Sequence, residues 1–212
     1  MNEKFFDLKK EKQDRMINAA LKVFALNGYR HASTDDIVRE AAISKGLLFH
    51  YFENKLGVYA FVYDYSVRYL LLELSTAVDA KETDLFTLMQ QVETGKMHAM
   101  CGYPYLQPFL NRAQAENVNE ALVAVEERKQ QMEEAYENIY ARADLGKYAA
   151  AEDVVKLRKM MELTIKGLMN ERILEDAFQP EMLYEEITEY LNLSRRLAER
   201  STQPSDEAFS EK

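Results

Sequence analysis

An all-α protein is the fold class this sequence predicts, and three observations predict it. Seven glycines and four prolines in 212 residues are too few for a turn-rich β fold. Leu, Ala, Glu, Lys, Met and Gln, all good helix formers, are plentiful. Apolar residues recur every three or four positions along most of the chain. The pattern resolves into about nine helices: an N-terminal three-helix head and a longer helical body.

Ile17, Ala20, Leu21 and Phe24 put one apolar stripe on a helix from Met16 to Asn27. Asn27-Gly28 ends it, with Gly28 suited to a left-handed cap. Ser33-Thr34-Asp35-Asp36 opens the second helix: the Ser33 hydroxyl is expected to accept from the Asp36 N–H, and the Asp36 carboxylate to reach back. Ile37, Val38 and Ala41 share its inner face. Ala41-Ala42-Ile43 then turns, because Ser44 reads as the cap of a third helix ending near Phe52. Asn54 caps a fourth helix running to about Val78. Its most apolar stretch, Val58 to Leu74, contains Asp64, Arg68 and Glu73, so it reads as a buried helix and not a membrane span.

In the body, Leu85, Leu88, Met89 and Val92 mark a fifth helix. The stretch CGYPYLQP, from Cys101 to Pro108, breaks the chain before a short helix from Phe109. Val118, Leu122, Val125, Met132, Tyr136, Ile139 and Ala143 trace a long helix that Leu145-Gly146 ends. Val154, Leu157, Met161, Thr164, Leu168 and Ile173 form the next stripe, and Pro180 opens the last helix through Leu183, Ile187, Tyr190, Leu191 and Leu197. The polar tail from Ser201 to Lys212 is expected to be disordered. The domain reading is therefore 1–55 as a short-helix head, 56–200 as a longer helical body, and 201–212 as tail.

Composition narrows the function classes. Cys101 is the only cysteine, which rules out an internal disulfide. The opening twelve residues are too charged for a secretory signal, and a cytoplasmic protein is the expectation. The net charge is −9, unevenly placed: residues 1–60 hold ten Lys/Arg against eight Asp/Glu, and the remainder seventeen against twenty-eight. A faintly basic head on an acidic body is compatible with an anionic partner at one end. His31, His50 and His98 lack metal-ligand spacing, no glycine-rich phosphate loop occurs, and no Ser/His/Asp grouping is visible. Neither an enzyme nor a cofactor is expected.

Two short helices joined by a tight turn describe a helix-turn-helix. Projected at 100° per residue, Leu48 and Phe52 fall on the face that packs against Ile17, Phe24 and Ile37. Lys45, Gly46, Phe49 and His50 fall opposite, with Leu47 and Tyr51 at the flank. That outward face offers a cation, a residue without side chain, and flat rings, which suits a duplex groove. Lys45 reaches a base edge or a phosphate, the helix N-terminus at Ser44 aims N–H groups at phosphate, and Lys55 is placed for a second phosphate.

The stretch from about Ala19 to Tyr59 resembles the DNA-binding head of the TetR family of bacterial repressors. The resemblance rests on Phe24, Gly28, Ser33-Thr34, Ile37, Ala41, Ser44-Lys45-Gly46, Leu48, the run Phe49-His50-Tyr51-Phe52, and Lys55. Carried over by position, it implies DNA contacts at Thr34, Ser44, Lys45, Gly46, Leu47, Phe49, His50, Tyr51 and Lys55. Three positions depart from the family pattern. Ala42 stands where glycine is usual, Phe49 where tyrosine is usual, and Asp35 and Asp36 where a neutral or basic residue suits DNA better. Beyond residue 60 only length and helical pattern resemble the family.

The resemblance implies a ligand-responsive transcriptional regulator, a repressor, with a double-stranded DNA operator and a small-molecule effector as partners. Two heads on a two-fold homodimer would read a pseudo-palindrome one helical turn apart. Leu157, Met161, Leu168, Leu183, Ile187, Tyr190 and Leu197 are the stripe expected to pair with its symmetry mate. The ten methionines and thirteen tyrosines either fill irregular core or line an effector cavity. For the second reading the candidates are Met97, Met100, Tyr103, Tyr105, Phe109, Met132, Tyr136 and Met161, with Met89 also in reach. Such a lining suits an apolar or aromatic ligand, and Glu93 or Glu133 would favour a cationic one. The competing class is a helical protein-interaction module, which would use the same stripes without needing Lys45, Gly46 and Phe49.

Overall fold

A computed structural model describes residues 3–146, 148, 150–174 and 178–200. Among them are nine α-helices, one short 3-10 helix at Glu3–Phe5, and no strand. The α-helices are α1 Lys10–His31, α2 Thr34–Glu40, α3 Lys45–Phe52, α4 Lys55–Ala77, α5 Leu85–Gly102, α6 Leu106–Gln114, α7 Asn119–Tyr140, α8 Ala151–Arg172 and α9 Pro180–Arg200. No helix among the described residues is long and apolar enough to cross a membrane. The expected disordered tail, 201–212, lies outside the described residues.

The caps in the head follow the sequence closely, with one change. Ser44 accepts from the Leu47 N–H at 3.2 Å and Asn54 from the Gly57 N–H at 2.9 Å. Ser33 caps α2 by accepting from Asp35 and not from Asp36. The Asp36 carboxylate does not reach back, because Arg39 one turn later holds it. The capping box is replaced by a single-sided cap plus an i,i+3 ion pair.

The first helix begins at Lys10, six residues before the apolar stripe. Gln13 explains the early start: its buried amide donates to the carbonyls of Phe6 and Leu8, closing the 3-10 turn against α1. Phe5 is thereby driven into the head, fully buried, with ring contacts to Tyr51, Phe52 and Phe61. At the other end Gly28 does not form the expected left-handed cap. Its φ of 67° and ψ of 176° lie in a region only glycine enters readily, and the chain kinks there before one further turn.

The joint between α3 and α4 is tight. Glu53 has φ 63° and ψ −50°, and the Asn54 N–H reaches the Phe52 carbonyl at 2.6 Å, which together make a γ-turn. A Cβ on Gly57 would sit 2.0 Å from the Phe52 carbonyl oxygen, so only glycine allows α4 to start this close to α3.

Two hydrophobic cores result. The first runs without a break from Phe5 through the head and α4 to Met132 on α7. Phe24 and Tyr29 of α1, Tyr59 and Tyr63 of α4, and Phe109 of α6 form its aromatic centre, with centroids 5.0–6.5 Å apart. This core crosses the expected 55/56 boundary without a break, so head and body share it. The second core joins α5, α8 and α9 around Met89, Met161, Ile165, Met169, Leu183 and Ile187. Polar contacts set the register of α9 on α5: Gln90 donates to Tyr184 and Thr188, and Arg195 to Asp84 and Thr87.

Candidate nucleic-acid interface and cavity

On α3, Leu48 and Phe52 are buried while Lys45, Gly46 and His50 are exposed. Leu47, Phe49 and Tyr51 are half-buried at the flank, so Phe49 is less outward than the 100° projection placed it. Ser44 is exposed at the cap, and Thr34 is half-buried at the first position of α2. A Cβ added to Gly46 meets nothing within 4 Å. The protein itself does not need glycine at this position; only something approaching from outside would. Tyr51 stacks edge-on with His50 and with the Phe5 plug, at 5.0 and 5.8 Å. The plug thus braces α3 from behind, a role the sequence reading missed because residues 1–12 look only charged.

Two cations behave differently from the expectation. Lys45 Nζ is ion-paired with Asp35 Oδ1 of α2 at 2.8 Å, with both side chains at least half exposed. Lys55 is turned inward: its ammonium donates to the carbonyls of Tyr29, Arg30 and Ala32 and lies over the Tyr29 ring at 4.5 Å. Those carbonyls belong to the last turn of α1 and its cap, which has no amide donors left to serve them. Lys55 therefore ties α4 to the end of α1, and all three of its N–H donors have oxygen partners within the protein.

The same corner is held from the body. Glu116, just after α6, accepts from the Tyr29 N–H that the Gly28 kink frees, at 2.9 Å. Glu120 accepts from the Tyr29 hydroxyl at 2.6 Å. Burial pushes the Glu116 carboxyl up, but the N–H groups of Asn117, Tyr29 and Val118 and the nearby Arg112 outweigh it and hold the group below its ordinary value. At the other end of α1, Tyr103 donates to Asp14 and bonds with Tyr65, joining α1, α4 and the end of α5.

Comparison with known proteins agrees with this geometry. The family described as "Bacterial regulatory proteins, tetR family" matches residues 16–60, the segment that contains the kink, both short helices and the α4 start. The head is similar to that of the tetR family. Two curated relatives of this head are HTH-type transcriptional regulators. YuxN of Bacillus subtilis is 36% identical over 78 residues, which are 35% of this chain and 26% of YuxN. TtgW of Pseudomonas putida is 41% identical over 49 residues, which are 23% of this chain and 37% of TtgW. The chain thus spans about a quarter and just over a third of these relatives. Solved structures extend the likeness in fold over most of the chain. A TetR family transcriptional regulator from Chloroflexus aurantiacus covers 93% of both chains at 22% identity and TM-score 0.55. The fatty acid degradation regulator FadR from Bacillus halodurans covers 84% of this chain and 96% of its own at 19% identity and TM-score 0.55.

Behind the head, α5, α6, α7 and α8 line an open-mouthed cavity of about 760 Å³. Leu85, Met89, Tyr136, Tyr140, Ile165 and Met169 supply its apolar wall. Of the nine residues expected near an effector, Met89 and Tyr136 line it. Met100 and Met161 fill the second core, Phe109 and Met132 the first, and Tyr103 is committed to Asp14. Tyr105 caps α6 and packs on the first core, and Met97 lies one turn from Cys101, 3.5 Å from its Sγ. Thioethers and rings are consumed where helices cross, and the cavity opens between helices beside those crossings.

Some of its polar groups are matched to one another, while Glu133 and Glu137 line it without an ion-pair partner among the described residues. Lys96 and Glu93, the latter 5% exposed, pair at 2.7 Å. Burial pulls the Lys96 ammonium down, but Glu93 and the nearby tyrosines outweigh it and hold the group above its ordinary value. Lys96 also lies 5.5 Å from the centre of the Tyr136 ring, and Arg158 4.8 Å from that of Tyr140. Arg158 and Lys159 pair with Glu162, and Lys166 donates to Gln114. Two buried atoms have no hydrogen-bond partner: the Tyr136 hydroxyl and Gln107 Oε1.

Proposed function

We propose that the chain is a transcriptional regulator, a repressor, that grips a pseudo-palindromic operator as a homodimer and is released by a small-molecule effector. The observation that carries the reading is the outward face of α3. It is exposed at Ser44, Lys45, Gly46 and His50, flanked by Leu47, Phe49, Tyr51 and Thr34, and anchored from behind by Leu48 and Phe52. In this reading residues 1–55 grip DNA and 56–200 dimerise and take the effector.

An exposed apolar stripe supports the dimer. Tyr190 and Leu197 remain exposed on α9, as the stripe expected from the sequence requires. Met161, Leu183 and Ile187 instead point into the protomer's own second core, and Leu157 and Leu168 are half-buried against it. The periodicity of α8 and α9 serves two faces, and the sequence stripe tracks the inner one. The outer one is Met160 and Leu163 on α8 with Met182, Tyr190, Leu193 and Leu197 on α9, all at least 40% exposed. Gly167 continues the α8 stripe, with open space where a Cβ would be. Rows of exposed large apolar residues on adjacent helices are what an isologous four-helix contact covers.

The deciding experiment is a gel shift at fixed salt with DNA from upstream of the coding gene. The expected result is retention of the wild-type chain and weakened retention of Lys45→Ala at unchanged melting temperature. Equal retention of both proteins refutes the assigned face. Sedimentation at micromolar concentration tests the dimer, and a monomer there refutes it.

A further inference from the structure

Reading the body as an effector domain leaves the effector's chemistry open. Resting on that reading, we infer that the cavity lined by α5, α6, α7 and α8 takes a dipolar molecule: an apolar or aromatic body with a cationic group toward α7 and an anionic group toward α8. Three observations lead there.

The first is the α7 wall. Glu133, Tyr136, Glu137 and Tyr140 are spaced i, i+3, i+4 and i+7, which puts all four on the face of α7 that lines the cavity. Glu133 and Glu137 have no ion-pair partner among the described residues, and no cation of α7 lines the cavity beside them. One turn apart, the two carboxylates repel each other. The Tyr136 and Tyr140 rings already have Lys96 and Arg158 beside them, at 5.5 and 4.8 Å. The carboxylates, not the ring faces, are therefore what this wall offers a ligand cation. Glu93 is held by Lys96 at 2.7 Å and is only 5% exposed. Of the two acids that the sequence suggested for a cation, Glu133 is the one left to serve.

The second is the α8 wall, where the balance is reversed. Arg158, Lys159 and Lys166 line the cavity with a single carboxylate of α8, Glu162. Arg158 and Lys159 share that carboxylate, at 3.7 and 3.5 Å. Lys166 donates to the neutral Gln114 amide at 2.8 Å, and to no carboxylate among the described residues. Helix α7 packs on α4 and α8 on α9, so the two walls are held by different neighbours. Among the described residues, no carboxylate of the α7 wall pairs with a cation of the α8 wall.

The third is the total. Four acids and four bases line the cavity, so its charges sum to zero while its walls differ in sign. A lone cation is drawn to α7 and repelled by α8, and a lone anion the reverse. A molecule with opposite charges at its two ends is drawn to both. Glu133, Glu137 and Lys166 are exposed, so such a molecule reaches them without prying a buried pair apart. Leu85, Met89, Ile165 and Met169 supply an apolar wall for its body, in a volume of about 760 Å³ that suits a small organic molecule.

The test is isothermal titration calorimetry of the full chain at low salt with one ligand body in four charge states. The zwitterion is L-phenylalanyl-L-phenylalanine at about pH 6.5, where both of its ends are ionised. Its C-terminal amide is the cation, its N-acetyl form the anion, and its N-acetyl amide the neutral form. The zwitterion is expected to bind tightest, each charge removed weakening it about two- to fivefold, the range for solvated ion pairs. Glu133→Gln/Glu137→Gln is expected to remove most of the gain from the ammonium and keep the gain from the carboxylate. Lys166→Met is expected to do the reverse. The substituted side chains are exposed, and unchanged binding of the neutral form shows that each variant keeps its cavity. A singly charged or neutral form that binds wild type as tightly as the zwitterion overturns the dipolar class. Survival of both gains in both variants overturns the assignment of the walls. No heat from any of the four at millimolar concentration overturns the site. Operator retention by the unliganded protein is measured separately: its failure sinks the DNA reading and leaves the order of ligand affinities standing.

Discussion

Replacing Asp35 with asparagine should make the protein bind DNA more tightly, although the substituted residue need not touch DNA. Lys45 is the one lysine on the outward face of α3, and in the free head it is paired with Asp35 at 2.8 Å. A phosphate or base edge must take the ammonium from that carboxylate. With the lysine and aspartate side chains 50% and 66% exposed, the pair stabilises by about 0.2–1 kcal/mol, the range for solvated ion pairs. Removing it lowers the cost of engagement by the same amount, which is about 1.4- to fivefold in affinity per head. Asp35 also sits in the first turn of α2, where it favours the helix dipole, so Asp35→Asn should cost about 0.3–1 kcal/mol of stability. Binding and stability thus move in opposite directions. The assay is a gel-shift titration at two or more salt concentrations, run in wild-type and Lys45→Ala backgrounds. Because the lysine stays, Asp35→Asn should keep the salt slope, whereas Lys45→Ala should reduce it by about one phosphate per head. If the gain from Asp35→Asn persists undiminished without Lys45, competition for the ammonium is refuted and plain repulsion between Asp35 and phosphate replaces it. A loss of affinity refutes both.

Other consequences can be checked alongside. Gly46→Ala meets no atom of the protein, so it should raise the melting temperature through helix propensity, by up to about 1 kcal/mol, while weakening operator retention; a drop in both would mean the position is structural. Ala42 has φ 51°, so Ala42→Gly should relieve left-handed strain of about 1 kcal/mol and raise the melting temperature by about 2–4 °C, with unchanged DNA affinity; a lowered melting temperature would argue against strain at the turn. The Glu116 carboxyl is held below its ordinary value, mostly against burial by three backbone N–H groups and Arg112. Its contribution is therefore present above the unfolded carboxylate value of about 4.3 and is lost as pH falls through the lower folded value. Thermal melts should show a steeper loss of stability below about pH 4.5 in wild type than in Glu116→Gln, and parallel curves would refute the role.

The head was more legible in the sequence than the body, for a physical reason. In the head, Ser44 and Asn54 cap by local rules, and Leu48 and Phe52 obey a single period around one core. Capping and periodicity are short-range, so residues within eight positions of each other decide them. What the sequence concealed was contact at a distance. Lys55 looked like a phosphate ligand because nothing nearby shows that the end of α1, more than twenty residues earlier, needs its ammonium. Phe5 looked like part of a charged lead-in because its partners lie on α3 and α4. In the body the stripes on α8 and α9 were found, but a helix buried on one face and apolar on its exposed face carries two overlapping periods, and Met161, Leu183 and Ile187 belong to the inner one. The cavity was nearly invisible, since its wall is what remains after methionines and tyrosines have filled the crossings. Tyr136 and Met89 do line it, yet nothing in the sequence separates them from Phe109 or Met132.

The pairing of Lys45 is one case of a wider arrangement that bears on how the head achieves affinity. Lys22 is held by Glu40 at 2.6 Å, Arg39 by Asp36, Lys10 by Asp14, and Lys55 by three carbonyls. The slight basic excess of residues 1–60 is therefore not displayed as a positive patch; much of it is tied to neighbouring acids and carbonyls. With the one lysine of α3 already paired, the amide N–H groups at the start of α3, capped through Ser44, become proportionately more important on that face. Such contacts are directional and need α3 seated at one angle. The γ-turn at Glu53, the bare Cα of Gly57, the Phe5 plug and the Lys55 clasp all fix that angle. Rigid seating makes affinity depend on spacing when two heads act together: a shift at the α1–α6 joint, where Glu116 and Glu120 hold Tyr29, moves the whole head as a unit. Helix α6 also lines the cavity through Gln107 and Asn111. In the proposed reading, an occupant there would press on the helix whose far end abuts Tyr29, and a rigidly seated head is the kind of grip that a small displacement can release.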